Sequence, residues 1–81
     1  MSAIFVVQSF TEKKGRLIAD IPFQAQNTNH ARRIAERLAA RKALVVAFSR
    51  EGDPKTGDWE DAKLIEAFGN VPDEVREMER V

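Results

Sequence analysis

The sequence predicts one α+β domain spanning residues 1–81, built on a three-stranded antiparallel sheet with β-β-α-β-α topology. Three observations support this prediction. Two β-rich segments flank a glycine turn, a later segment has helical periodicity, and an apolar run follows it. A right-handed crossover through the helix places the last strand beside the first, so the predicted strand order is second-first-third with all neighbours antiparallel.

The first two strands are predicted to form a hairpin. Residues 3–10 are apolar at odd and even positions, which is typical of a strand covered on both faces. Gly15 supplies the positive φ of a type I turn with a bulge. In the second strand, residues 17–26, alternate side chains form one core face: Leu17, Ala19, Ile21, Phe23 and Ala25. Pro22 has no N–H to donate, so this strand is expected at a sheet edge with Pro22 outward or bulged.

An amphipathic helix is predicted over residues 28–41, with N-cap candidates in residues 27–29. Its apolar side chains recur at helical spacing: Ala31, Ile34, Ala35, Leu38 and Ala39. Residues 43–49 are almost continuously apolar and include β-branched side chains, which indicates a buried third strand.

Two structures compete for residues 58–68. The first is a helix with Asp58 as N-cap and Gly69 at C′, and capping and periodicity both favour it. The second is a β-hairpin that turns at residues 53–57, makes residues 59–68 a fourth strand and gives β-β-α-β-β topology.

Composition excludes several classes of protein. Of the 81 residues, 43% are hydrophobic and 32% charged, the balance of a folded globular domain. There is no cysteine, which excludes disulfides and thiolate metal sites. The N-terminal apolar stretch meets Gln8 too early for a signal peptide, and no apolar run approaches the roughly 20 residues that span a bilayer. We therefore predict a cytoplasmic protein without membrane contact. The charged residues 73–81 are predicted to form a frayed C-terminal tail.

The formal net charge is zero, but the two parts of the chain carry opposite charge. Residues 1–50 have nine Lys and Arg against three Asp and Glu, and residues 51–81 have four against ten. The domain is therefore a charge dipole along its sequence.

The strongest candidate site lies in the basic part. Arg33, Arg37 and Arg41 recur every four residues on the predicted helix, flanked by Arg32 and Lys42. Like charges at this spacing destabilise an isolated helix, so phosphates or acidic groups are candidate partners. The first hairpin extends this surface if it lies on the same side, through three further cations: Lys13, Lys14 and Arg16.

Two other interpretations of these cations stay open. The helix face can be simply solvated, with Arg32 and Glu36 as an exposed pair. Alternatively, acids of the C-terminal third neutralise it, within one chain or across a dimer. The zero net charge and the lack of a series of exposed aromatic side chains argue against nucleic acid.

The remaining chemistry-bearing residues suggest neither an enzyme nor a metal or cofactor site. Five acids cluster in sequence without the spacing of a calcium loop: Glu51, Asp53, Asp58, Glu60 and Asp61. Turn formation and helix capping by Asp53 and Asp58 are the alternative to a metal site. His30, Ser9 and Ser49 lack the neighbours that a catalytic arrangement needs. Trp59 is interpreted as a packing residue, with an interface role as the alternative.

Three blocks within residues 48–72 resemble a segment shared by small uncharacterised bacterial proteins. They are Phe48-Ser49-Arg50-Glu51-Gly52-Asp53, Thr56-Gly57-Asp58-Trp59-Glu60-Asp61-Ala62 and Phe68-Gly69-Asn70-Val71-Pro72. The resemblance implies a bacterial protein, and it implies no activity for any residue.

The leading functional hypothesis is a noncatalytic protein-interaction module, with a homodimer as one form of it. The two strands that are apolar on both parities present more surface than one helix covers, so either the C-terminal segment or another chain covers the second face. A nucleic-acid-associated module that uses the basic face of the 28–41 helix is the alternative, and a small enzyme is third.

Overall fold

Six strands and two helices make up the computed structural model, which describes residues 2–81. The strands are β1 (Ser2–Lys13), β2 (Arg16–Ala19), β3 (Phe23–Ala25), β4 (Leu44–Asp53), β5 (Asp58–Trp59) and β6 (Lys63–Gly69). The helices are α1 (Thr28–Ala39) and α2 (Asp73–Arg76). The strands form one curled antiparallel sheet, so the predicted three-stranded α+β fold with β-β-α-β-α topology is wrong.

Two long central strands organise the sheet. β1 and β4 pair antiparallel from Phe10↔Leu44 to Ser2↔Gly52. β2 and β3 both lie along the outer side of β1, and β5 and β6 both lie along the outer side of β4. Each edge of the sheet is therefore an interrupted strand. The β1–β2 and β4–β5 turns lie at opposite ends of a long, narrow molecule of 41 × 23 × 21 Å.

Residues 58–68 contain β5 and most of β6, separated by residues 60–62, so the favoured helix is wrong and the competing hairpin describes this segment. Two consecutive side chains give the physical reason. Leu64 packs with Val46 on one face of the sheet, and Ile65 packs with Val45 on the other. An extended chain sends consecutive side chains to opposite faces, whereas a helix separates them by only about 100° and cannot send them into cores on opposite faces of one sheet.

The first edge contains a bulge that the sequence pattern conceals. Ala19 pairs with Phe10, and Phe23 pairs with Val7. The edge therefore advances four residues while β1 advances three. One extra residue inverts the alternation of side chains. The predicted single core face over residues 17–26 is therefore wrong. Pro22 lies in this bulge at the sheet edge, where its missing N–H removes no ladder bond, which confirms its predicted placement.

Each face of the sheet has its own core. On the helix side, α1 packs against β1, β3, β4 and β6, and the buried cluster consists of Val7, Ala25, Ala31, Ala35, Val45, Ala47 and Ile65. On the second side, Leu44, Val46 and Leu64 are covered by three side chains of the C-terminal segment: Val71, Val75 and Met78. The chain itself therefore covers both faces.

Main-chain bonds attach the C-terminal segment to β6. Leu64 N–H donates to the Glu79 carbonyl at 2.7 Å, and Val81 N–H donates to the Leu64 carbonyl at 2.9 Å. These bonds close part of the outer side of β6. The fraying predicted for residues 73–81 concerns motion and stays a prediction.

α1 begins where the sequence predicts and ends slightly earlier than the predicted residue 41. The Asn27 side chain caps it by accepting the His30 N–H at 2.8 Å. Ala31 and Ala35 are fully buried, and their small side chains let the helix approach the sheet closely.

The β1–β2 turn is a two-residue turn rather than the predicted type I turn with a bulge. Lys14 has φ +53° and Gly15 has φ +77°, the two positive values that define a type I′ turn. A lysine in the left-handed region is strained, whereas asparagine tolerates that region well.

We expect Lys14→Asn to stabilise the protein by about 0.5 kcal/mol, which raises the thermal midpoint by roughly 2–4 °C for a domain of this size. Circular dichroism melting curves measure the change. Lys13→Asn is the matched control because Lys13 lies in regular strand and loses the same charge. An equal shift in both variants would assign the effect to charge and would contradict the turn strain.

Candidate interaction surface at the split edge

The edge formed by β2 and β3 carries a concentration of exposed apolar side chains. Ile21 is 93% exposed, Phe23 49%, Ile18 48% and Leu17 42%. We call these four residues the split-edge surface. Single exposed apolar residues are common, but large ones grouped along one unpaired strand edge are typical of an interaction site.

An open cleft of about 710 Å³ adjoins this surface, between the bulge and the C-terminal end of α1. Most of the surface that lines the cleft is apolar, and the lining includes two cations, Arg41 and Lys42. The other lining residues are Ser9, Ala19, Asp20, Ile21, Phe23 and Leu38. The cleft therefore presents apolar side chains and positive charge together.

A network of hydrogen bonds centred on Asp20 holds the bulge in place. The Ser9 hydroxyl donates to Oδ2 at 2.8 Å, the Thr11 hydroxyl donates to Oδ1 at 3.0 Å, and Lys42 Nζ lies 3.2 Å from Oδ2. Gln8 Nε2 donates to the Asp20 carbonyl at 2.7 Å. The network replaces ladder bonds that the bulge interrupts, so it fixes the position from which Ile21 projects.

The pKa of Asp20 lies below its ordinary value, chiefly because the Ser9 hydroxyl donates a hydrogen bond to the carboxylate. Partial burial opposes this effect, and Thr11 and Lys42 add to the lowering. Ser9 is therefore engaged in holding a carboxylate, which is a structural role.

Sequence reasoning missed Asp20, because strict alternation assigns it to a wet strand face. The available signal was the pair Ser9 and Thr11, two hydroxyls on one face of β1, which face an aspartate two residues before a proline.

We expect Asp20→Asn to destabilise the protein at neutral pH, and the difference from wild type to shrink as pH falls. A carboxylate whose folded pKa is lowered contributes stability that is complete above its ordinary value of 3.8. That contribution is lost as pH falls through the lowered folded value. Urea unfolding from pH 7 to pH 2 measures it, with the exposed Asp61→Asn as control. A difference independent of pH would contradict the role of the charge.

The helix arginines project into solvent as predicted. Arg33, Arg37 and Arg41 are exposed, and no carboxylate of residues 2–81 forms an ion pair with them. The predicted Arg32–Glu36 pair is not formed in this part of the chain either. Arg32 is half-buried and lies 3.5 Å from Asn29 Oδ1.

The structure places the first hairpin at the same end of the molecule as the C-terminus of α1. Lys42 Nζ donates to Thr11 Oγ1 at 3.1 Å, and Thr11 lies on the hairpin stem. Lys13 and Arg16 are directly paired across the strands, so their side chains share the sheet face that carries Thr11. Arg33 is more distant, about 12 Å along the helix axis from Arg41.

The acids do not surround these cations. The C-terminal segment that covers the second sheet face carries Asp73, Glu74, Glu77 and Glu79. Within residues 2–81, the ion pairs are Lys42–Asp20 and Arg80–Glu66. The basic helix and the acidic segment therefore form opposite outer layers of the domain, with the sheet between them.

Trp59 packs against its own sheet. It is half-buried beside Gly52, where a side-chain carbon on Gly52 would lie 2.5 Å from the indole ring. This contact supports the packing interpretation. In the nearby turn, Asp53 Oδ1 accepts the Lys55 N–H at 2.9 Å. Among residues 2–81, no three metal-ligating side chains come together.

His30 contributes to the start of α1. Its Nδ1 accepts the Gln26 N–H at 3.0 Å, and its ring meets Phe23 edge to face at a centroid distance of 6.1 Å. These contacts connect the helix start to β3 and bring no nucleophile to the imidazole.

Comparisons of the chain with protein-family models, curated proteins and solved structures gave no match. The resemblance of the blocks within residues 48–72 to bacterial proteins therefore stays a prediction. In residues 2–81, neither helix has the length and apolar character needed to cross a bilayer.

Proposed function

We propose that this protein is a noncatalytic interaction module that binds a protein chain through the split-edge surface. One observation carries the proposal: Ile21 is 93% exposed on a bulge that the hydrogen bonds of Asp20 connect to β1. Burial of this side chain removes apolar area from water, which favours association, and the hydrogen-bonded main chain at Asp20 loses less entropy on binding than a free loop would.

The main chain supports the same surface. Among the described residues, no strand pairs with the outer sides of β2 and β3, whereas residues 79–81 close part of the outer side of β6. An open strand edge can accept an added strand, which supplies main-chain hydrogen bonds in a common mode of protein recognition.

The contacts of the two most reactive side chains support a noncatalytic role. The Ser9 hydroxyl donates to Asp20, and His30 Nδ1 accepts a main-chain N–H. The pKa of the Asp20 carboxyl is lowered, which makes it a poor general base for the Ser9 hydroxyl, and the main-chain N–H of Gln26 occupies His30 Nδ1.

We expect a photoreactive amino acid at position 21 to give covalent protein adducts in living cells. The same amino acid at the exposed position 36 of α1 is the matched control and is expected to give few. Mass spectrometry identifies each adduct as a second copy or as a different protein. Equal or absent adducts at the two positions would contradict the proposal.

A nucleic-acid-associated module is the second candidate, because Arg33, Arg37 and Arg41 are exposed without carboxylate partners. The separation of the acidic segment onto the opposite face supports it, since phosphates approaching α1 would not meet those acids. The zero net charge argues less strongly against nucleic acid binding when the basic and acidic residues lie on different faces of the sheet.

If nucleic acid binds here, alanine at all three arginines is expected to lower the slope of log affinity against log salt concentration by about 3. Fluorescence anisotropy with a short mixed-sequence DNA duplex measures this slope. Lys55→Ala with Arg76→Ala is the control, because Lys55 lies in the β4–β5 turn and Arg76 lies in the C-terminal segment on the opposite face of the sheet. Undetectable binding by the wild type, or an unchanged slope, would exclude this candidate.

A further inference from the structure

We infer that the partner at the split-edge surface is a second copy of this chain, joined through antiparallel pairing of the two β2 strands about a two-fold axis at Ile18. The inference rests on the proposed function and names its partner. Three features of β2 support it: the direction of its main-chain groups, the match of its side chains to themselves, and its charges.

The direction of the main-chain groups follows from the first hairpin. In antiparallel strands, pairs that exchange both main-chain bonds alternate with pairs that exchange none. The two-residue turn makes Lys13↔Arg16 a bonded pair, and alternation then makes Thr11↔Ile18 the next one. The Asp20 N–H bond to the Ser9 carbonyl, at 2.9 Å, agrees with this phase.

Leu17 and Ala19 therefore direct their N–H and C=O groups away from β1, toward the open side. When two copies of β2 run antiparallel with Ile18 at the axis, Leu17 of each copy lies opposite Ala19 of the other. Both residues of each such pair offer outward groups, so four main-chain bonds can form. An axis between two residues would match outward groups with inward ones and form none.

Side chains select among the remaining registers. With the axis at Ile18, the two Ile18 side chains face each other at a non-bonded pair, where the strands bring side chains closest. Moving the axis to Leu17 would place Ile18 opposite Arg16, and moving it to Ala19 would place Ile18 opposite Asp20. Of these three axes, only the one at Ile18 keeps Ile18 opposite an apolar side chain and away from a charged one.

The same register pairs opposite charges. Arg16 of each copy lies opposite Asp20 of the other. Within one chain, Arg16 is directly across from Lys13 and next in space to Lys14, and like charges in this arrangement are destabilising. A carboxylate from the second copy offsets that repulsion.

In this arrangement Ile21 also contacts the second copy. It follows Asp20, so it comes beside the Lys14–Gly15 turn of the second copy. A side-chain carbon at Gly15 would meet no atom within 4 Å, so this side of the turn is open. The isoleucine can cover it without displacing a side chain.

The paired strands would extend two sheets into one continuous sheet. Because directly paired residues share a face, both α1 helices lie on one side of it and both acidic segments on the other. The contact area is small for a permanent dimer, so we expect an association of moderate strength that depends on concentration.

Disulfide trapping tests the register directly, because the chain has no cysteine of its own. Ile18→Cys places two thiols at the two-fold axis, where a Cα separation of about 4.5 Å falls within the range for a disulfide. Leu17→Cys is the matched control, since Leu17 has similar exposure but lies opposite Ala19. We expect Ile18→Cys to form disulfide-linked dimers roughly tenfold faster or more at low micromolar concentration, because pairing raises the effective thiol concentration.

Equal rates for the two variants would overturn the inference, because unpaired chains collide without preference. A faster Leu17→Cys would overturn it in favour of a shifted axis. Sedimentation of the cysteine-free wild type, with Arg16→Asp as a variant, gives an independent measure that does not depend on the new thiols. We expect the wild type to dimerise with rising concentration and Arg16→Asp, which places two carboxylates opposite each other, to remain monomeric.

The failure of this inference differs from the failure of the proposed function. A monomeric wild type together with adducts of another protein at position 21 would overturn the homodimer and leave the interaction module. A monomeric wild type without adducts at position 21 would overturn both.

Discussion

The Asp20 carboxylate is the point on which the rest of the edge depends. It accepts hydrogen bonds from Ser9 and Thr11 and lies beside the Lys42 ammonium, so three parts of the chain meet there. The bulge interrupts the main-chain ladder next to Pro22, so the network, and not the ladder, defines the position of the extra residue. With it, the inverted alternation sends Ala25 into the helix-side core and leaves Ile21 in solvent.

The second constraint is that β4 is buried on both faces. Its residues Leu44 to Ala47 are all buried, so each side of the sheet needs a cover. α1 provides one through closely packed alanines, and the C-terminal segment provides the other through Val75 and Met78. Because the helix is basic and the segment is acidic, covering the sheet also sorts charge into two outer layers. This sorting keeps the helix arginines available to an anionic partner.

The two candidate functions therefore use different surfaces of one architecture. The split-edge surface offers apolar contact and strand pairing, whereas α1 offers positive charge. An edge-to-edge dimer would place two basic helices on the same side of a continuous sheet, so protein association and anion binding would reinforce each other. The acidic turn at the far end, with Trp59 packed over Gly52, is held by its own strand contacts and takes no part in either surface.

Local sequence determined the elements whose signals are local. The Asn27 cap, the apolar spacing of α1 and the edge position of Pro22 all follow from neighbouring residues. So do the apolar parts of β1 and β4, whereas the extension of β4 to Asp53 was not predicted. Tertiary structure decided the rest. The helical spacing of residues 58–68 was overridden because two cores on opposite faces require Leu64 and Ile65 to diverge, and an extended chain satisfies both. The exposure of Ile21 likewise depends on residues distant in sequence, since Ser9, Thr11 and Lys42 meet Asp20 only in the tertiary structure.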